Sequence, residues 1–347
     1  DAGAASRLRK ADEAGYLTSR FSGYFDIYTP ELMEIRRGAP HAAEHVKAGY
    51  PEEAVITAGG TVMDGWAHPV GRETLPDGSE RVRTVYGARR CTRCMMDWME
   101  TTVPPEIERF GYTARFIDVT TANPLWECFS DTHPMTRTGD RETRRGFFRY
   151  LHSLGLVTGS EGGADWANDL LVWQEGSLTI PRLSRWPRIY PSGRPLTMPD
   201  AHAAVQFDPA LRLPLRELVY HDSTLITWRW EQTPQRWDDN ELWRLWDLFH
   251  ILYAQMPIFV IHNEQTETWN EATRGRMLQT VRDVCGWLDK VGGVDMVDHR
   301  DLTPDRRVQE TRFANGWRVV VNFKADAPWV APDGTVVASR SYRAVGP

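Results

Sequence analysis

The run Arg115-Phe116-Ile117-Asp118-Val119-Thr120-Thr121 reads as a short buried strand that passes straight into a carboxylate. So does Gly155-Leu156-Val157-Thr158-Gly159-Ser160-Glu161-Gly162-Gly163-Ala164-Asp165-Trp166. Between them, residues 141–154 carry Phe147, Phe148, Tyr150 and Leu151 on one helical face, and Gly155 supplies a stop. Strands that are apolar without alternation are covered on both faces, which is the habit of parallel sheets flanked by helices. A carboxylate at the exit of a buried strand is where an α/β barrel places its chemistry.

The same texture recurs along the chain. An opening helix ends near Gly15, and residues 16–21 read as the first strand. A helix over 94–110, interrupted near Pro104-Pro105, delivers the strand at 113–119, and the helix at 141–154 delivers the one at 156–159. Residues 218–220 are expected as a strand ending in His221-Asp222. Asp238-Asp239 caps a helix with Leu242, Leu245, Trp246, Phe249 and Leu252 on one face. Residues 257–261 form another expected strand, ending in His262-Asn263-Glu264, and a helix over 271–291 follows. Repeated strand–helix–strand units give a barrel or an open doubly wound sheet. No G-x-G-x-x-G or G-x-x-x-x-G-K-[ST] occurs to favour a nucleotide-binding open sheet.

The fold class is therefore read as α/β, a (β/α)8 TIM-type barrel over residues 1–305. It has long insertions at 29–85 and 176–212, the first with a hairpin around Pro76-Asp77-Gly78-Ser79. Because a helix precedes the first strand, and the chain opens without Met, it is read as a fragment or processed product lacking one or more N-terminal barrel strands. From residue 306 the pattern changes to short antiparallel strands with an Asn315-Gly316 turn, a small C-terminal β domain over 306–347.

Composition narrows the partners. Lys and Arg total 41 against 47 Asp and Glu, and no long basic run occurs, which argues against nucleic acid. No apolar run reaches the roughly 18 residues of a membrane span. The 15 Trp either fill the layer between sheet and helices or form flat platforms for the C–H faces of sugar rings. Four Cys are too few for a disulfide scaffold in 347 residues. Cys91-Thr92-Arg93-Cys94 has metal or redox spacing. With no second C-x-x-C and no His close to it in sequence, it is read as a reduced pair or a local disulfide, and no catalytic metal or other cofactor is expected. A structural Ca²⁺ in a loop is compatible with this reading.

Two carboxylates at nearby strand ends suit cleavage of a glycosidic bond. Retention of configuration needs them about 5–5.5 Å apart, one attacking the anomeric carbon and one serving as acid and then base. Asp118, short and held by its strand, suits the nucleophile. Glu161, set between Gly159-Ser160 and Gly162-Gly163, has the reach of an acid/base. A strand-terminal Asp also serves as a helix cap or loop organiser, and Asp165 rivals Glu161. Candidate substrate contacts are Asp26, His133, Asp165, Trp166, His221, Asp222 and Glu264, each with a capping, ion-pairing or loop-bonding alternative.

At these residues the chain resembles the endo- and exo-acting α-N-acetylgalactosaminidases of glycoside hydrolase families 101 and 129, more closely the second. The resemblance is carried by Phe116-Ile117-Asp118-Val119, by Gly159-Ser160-Glu161, and by Tyr220-His221-Asp222. It extends to the stretch from Asp247-Leu248-Phe249 through Met256-Pro257-Ile258-Phe259. It spans roughly residues 14 to 323. It implies a catalytic barrel with a C-terminal β domain, and retaining hydrolysis with Asp118 as nucleophile and Glu161 as acid/base. It also implies a glycan or glycopeptide bearing α-linked N-acetylgalactosamine, or galactose, as substrate. A carbohydrate-binding barrel without catalysis, a glycosidase for another α-linked sugar, and a metal-dependent hydrolase using His133, His221 and His262 are the competing readings.

Overall fold

The computed structural model describes residues 2–37, 44–179, 200–230, 233–234, 240–261 and 270–347. The chain divides into two compact units, residues 1–171 and 172–347.

The first unit opens with α1 (Ala2–Glu13), β1 (Ser19–Ser22) and β2 (Asp26–Ile27). The short helices α2 (Pro30–Ile35) and α3 (Glu44–Lys47) lead to a long antiparallel hairpin of β3 (Asp64–Thr74) and β4 (Glu80–Arg89). The hairpin turns at Leu75–Ser79, where the Pro-Asp-Gly-Ser sequence places it. Next come α4 (Met96–Phe110), β5 (Ala114–Ile117), α5 (Arg137–Ser153) and β6 (Val157–Glu161). Strands β1, β5 and β6 pair in parallel, in that order. All four side chains of β5 are buried, as expected for a strand covered on both faces.

Helix α5 starts where the Thr136 side chain accepts the Gly139 N–H at 3.1 Å. It stops at Gly155, whose φ of +78° an L side chain would resist. Its buried face, Phe147, Phe148 and Leu151, meets Met95, Met99 and Val103 from α4 and Ile117 from β5. Helix α4 was expected to break at Pro104-Pro105. It instead runs unbroken to Phe110, and Gly111 ends it in the left-handed conformation. Buried Met99 and Val103 tie its first half to the core, which outweighs the two backbone donors the prolines lack.

The second unit begins with β7 (Trp173–Glu175), α6 (Asp200–Phe207), α7 (Glu217–Tyr220) and β8 (Leu225–Ile226). Strands β7 and β8 pair in parallel. The strand expected over 218–220 is the helical turn α7. A four-residue run cannot distinguish the two by periodicity, and the strand comes five residues later, at β8. The expected strand over 257–261 is irregular backbone. Helix α8 (Asn240–Tyr253) is buried along most of its length, with Trp246, Phe249 and Leu252 in the core, and α9 (Glu271–Val291) packs Val284 and Trp287 against the same core. The proposed cap at Asp238-Asp239 lies outside the described residues.

An antiparallel sheet of order β14-β11-β10-β9 follows, built from β9 (Met296–Asp301), β10 (Val308–Phe313), β11 (Arg318–Asn322) and β14 (Ser341–Val345). Strands β12 (Trp329–Val330) and β13 (Val336–Val337) form a separate two-stranded ribbon. The β10–β11 turn falls at Asn315-Gly316 as read from the sequence, and the sheet starts at Met296 rather than after residue 305. Trp228, Trp243, Trp246 and Trp287 are buried in this unit, so here the indoles mainly fill core.

Within the second unit Glu217 is buried, and burial pushes its carboxyl up to about 7. A raised carboxyl favours the folded state only while protonated. The contribution is full below the ordinary carboxylate range and is lost as pH rises through about 7. Glu217→Gln should match the parent in acid and exceed it above neutrality by on the order of 3 kcal/mol. Urea midpoints at acidic and mildly alkaline pH test this, and an equal difference at both would refute it.

Candidate active site

The register of the parallel strands sets the geometry. Ser22 of β1 pairs with Ile117 of β5, and Ile117 pairs with Ser160 of β6. Asp118 and Glu161 each occupy the next position, side by side at the C-terminal ends of neighbouring strands. Gly23 takes the equivalent place after β1, and a Cβ built on it would lie 3.7 Å from the Asp118 Cβ. The Asp118 N–H donates to Ser22 O at 2.7 Å, carrying the ladder one residue beyond β5. Val119 then turns the chain with a φ of +48°. Glu161 is buried and Asp118 is half-buried.

Residues after Asp118 are held from two sides. Ser160 Oγ donates to Ile117 O at 2.7 Å, and Thr121 Oγ1 lies 2.9 Å from both Glu161 O and Gly162 O. Gly162 has a φ of +69°, and an added Cβ would come within 3.1 Å of Ala122. A side chain there would therefore strain the backbone and crowd the neighbouring loop.

From the other side, Arg144 of α5 reaches into the loop. Its Nη1 donates to Thr120 O and Asn123 O, both at 2.9 Å, and its Nη2 to Pro124 O at 2.8 Å. Its charge is balanced by Asp140 at 2.7 Å, and both side chains are fully buried. Asp140 also accepts from Thr92 Oγ1 at 2.7 Å and from the Trp126 N–H at 2.8 Å. The guanidinium lies over the rings of Phe25 and Trp126, 5.1 and 4.9 Å from their centroids. Burial lowers the Arg144 pKa from its ordinary value, while Asp140 opposes that shift. The sequence reading missed this pair. Its only trace was an Asp and an Arg four residues apart on the core side of a helix.

The remaining expected residues are placed variously. Asp165 is exposed, and its Oδ1 accepts the Trp166 N–H at 2.8 Å, starting a short 3-10 turn after β6. Trp166 is half-buried against the core that holds Phe147 and Phe148. Asp26 Oδ1 accepts from the Trp66 N–H at 3.0 Å and from Arg89 at 3.3 Å, so it pins the β3–β4 hairpin. His133 was expected to meet substrate. Its Nε2 faces Glu52 O at 2.8 Å and its Nδ1 faces Cys128 Sγ at 3.4 Å. In the second unit the buried His221 ring is held by Val294 O at 2.6 Å and Ala254 O at 3.0 Å, a bracing rather than a substrate-facing arrangement. Asp222 is exposed. Glu264 and His262 lie outside the described residues.

Comparison with known proteins follows this geometry. A family model described as glycosyl hydrolases related to GH101 family, GH129, matches residues 184–312. That stretch begins after both Asp118 and Glu161. A search of curated proteins finds no match. Among solved structures, the chain is similar to α-N-acetylgalactosaminidase NagBb from Bifidobacterium bifidum in its GalNAc complex. The TM-score is 0.64 at 22% identity, covering 99% of this chain and 44% of that one. A cyclic α-maltosyl-(1→6)-maltose hydrolase from Arthrobacter globiformis gives a TM-score of 0.53 at 10% identity, covering 99% and 78%. A maltogenic α-amylase, AmyB, from Thermotoga neapolitana gives 0.51 at 11% identity, also covering 99% and 78%. The chain thus spans less than half the length of NagBb. The resemblance read from short motifs and the family model point to the same group of glycoside hydrolases.

Proposed function

We propose that this chain carries the active site of a retaining glycoside hydrolase that acts on α-linked N-acetylgalactosamine, built on a (β/α)8 barrel. The observation that carries the reading is the side-by-side placement of Asp118 and Glu161 at the ends of paired parallel strands. Neighbouring strands stand about 4.8 Å apart. That suits the roughly 5–5.5 Å between carboxyl groups in retaining enzymes better than the 6.5–9.5 Å of inverting ones. The GH129 match and the likeness to NagBb support the substrate class.

In this mechanism the Asp118 carboxylate attacks the anomeric carbon as its bond to the aglycone oxygen breaks. Glu161 gives its proton to that oxygen. The glycosyl ester on Asp118 is then opened by a water whose proton passes to Glu161, which restores both groups. Two inversions give a product with the configuration of the substrate. The Thr121 and Arg144 bonds keep the loop after Asp118 from shifting as charge moves between the two carboxylates.

The test is proton NMR of an aryl α-N-acetylgalactosaminide during turnover. The α-anomer of the free sugar is expected to form first and mutarotate later. A first-formed β-anomer would assign inversion and remove Asp118 as nucleophile. Turnover of the α-galactoside alone would transfer the site to a different sugar, and saturable binding without turnover would favour a binding barrel.

A further inference from the structure

We propose that Cys91, Cys94, Cys128 and His133 form a structural zinc site in the first unit. This assignment is independent of the proposed hydrolase activity. Cys91 Sγ, Cys128 Sγ and a ring nitrogen of His133 lie within 4.8 Å of one another. None of the four cysteines is in a disulfide. Cys94 closes the C-x-x-C turn that Cys91 opens, its N–H donating to Cys91 O at 3.0 Å. Cys128 and His133 belong to a second tight turn, closed by mutual backbone bonds of 2.8 and 2.9 Å between Cys128 and Met135. Two such turns facing each other supply three sulfurs and one nitrogen, the ligand set of a closed tetrahedral zinc site.

The surroundings prepare these atoms to bind a metal. With Nε2–H of His133 donated to Glu52 O at 2.8 Å, the ring's Nδ1 keeps its lone pair and faces Cys128 Sγ at 3.4 Å. About 3.5 Å is the sulfur–nitrogen edge of a tetrahedron with zinc bonds of about 2.3 and 2.0 Å. The separations among Cys91 Sγ, Cys128 Sγ and His133, all within 4.8 Å, need to close by no more than about 1 Å to reach that geometry. The Ile56 N–H donates to Cys128 Sγ at 3.3 Å, a bond that strengthens as the sulfur becomes a thiolate. Binding releases the thiol protons to solvent. The competing account is a small apolar core, since Cys91, Cys128 and Met135 also pack on Val55.

The test uses the whole chain. The protein is produced with zinc in the medium and its metal content measured by mass spectrometry. About one zinc per chain is expected, released when the thiols are titrated with a mercurial. Cys128→Ser and Cys94→Ser should each lose most of that zinc. If a variant fails to fold, cobalt(II) is added to the metal-stripped wild-type chain. A thiolate-to-cobalt charge-transfer band with intense tetrahedral d–d bands supports the site. Three results would overturn it: less than about a tenth of a zinc per chain with no cobalt spectrum, zinc content unchanged in both variants, or an intact mass showing that Cys91 and Cys94 have lost two hydrogens to a disulfide.

Discussion

Asp118→Asn should lower kcat on an aryl α-N-acetylgalactosaminide by on the order of 10⁴-fold, because in the proposed mechanism Asp118 forms the covalent ester. Glu161→Gln should behave differently. Its loss should reach about 10²–10⁴-fold with a poor leaving group, the usual worth of a general acid. It should shrink sharply with a dinitrophenyl leaving group, which departs without a proton. Asp118→Asn gains no such relief, since attack is still required. The two variants therefore separate nucleophile from acid by their dependence on leaving-group acidity. Melting temperatures near the parent value confirm that each variant is folded. Wild-type kcat in either would end the assignment, and the same leaving-group response in both would exchange or merge the roles.

The second large effect concerns folding. Asp140→Ala removes the only negative partner that Arg144 shows at bonding distance among the described residues, and leaves a fully buried guanidinium uncompensated. Breaking such a pair from one side costs about 3–5 kcal/mol. Replacing both residues, as Asp140→Leu with Arg144→Met, should recover part of that cost, because no lone charge then remains in the interior. Recovery should be incomplete, since Arg144 also satisfies three loop carbonyls. Urea denaturation of the two variants decides the matter. A single variant within about 0.5 kcal/mol of the parent would mean that the pair is not sealed from water.

Much of this arrangement was legible in the amino-acid order because its signals are local. Buried runs marked β5 and β6, the apolar stripe with a Gly stop marked α5, and Asn-Gly marked the β10–β11 turn, while the Thr136 cap that starts α5 at Arg137 went unread. The two carboxylates followed from their place after those runs. What was not legible depends on partners distant in sequence. A run such as 218–220 is too short to declare its period, and the core decided for a helical turn. His133 read equally as a substrate contact or a loop hydrogen-bonder, and its ring faces Glu52 O and Cys128 Sγ, partners that the sequence around it does not name. The spacing Cys128-x-x-x-x-His133 was present throughout. It gains meaning only when folding sets it within 4.8 Å of Cys91, more than thirty residues earlier. The Arg144–Asp140 pair is hidden for the same reason, since its targets are carbonyl oxygens, which every residue type possesses.

That last point bears on how the chain can vary over evolutionary time. Arg144 grips Thr120, Asn123 and Pro124 from 24, 21 and 20 residues away, and it grips them by backbone atoms alone. The shape of the loop is thus written largely at position 144, with Thr121 as the loop's own contribution. Its outward side chains can drift, and so retune what approaches the carboxylates, while the path of the main chain stays the same. Constraint and novelty are assigned to different stretches of sequence.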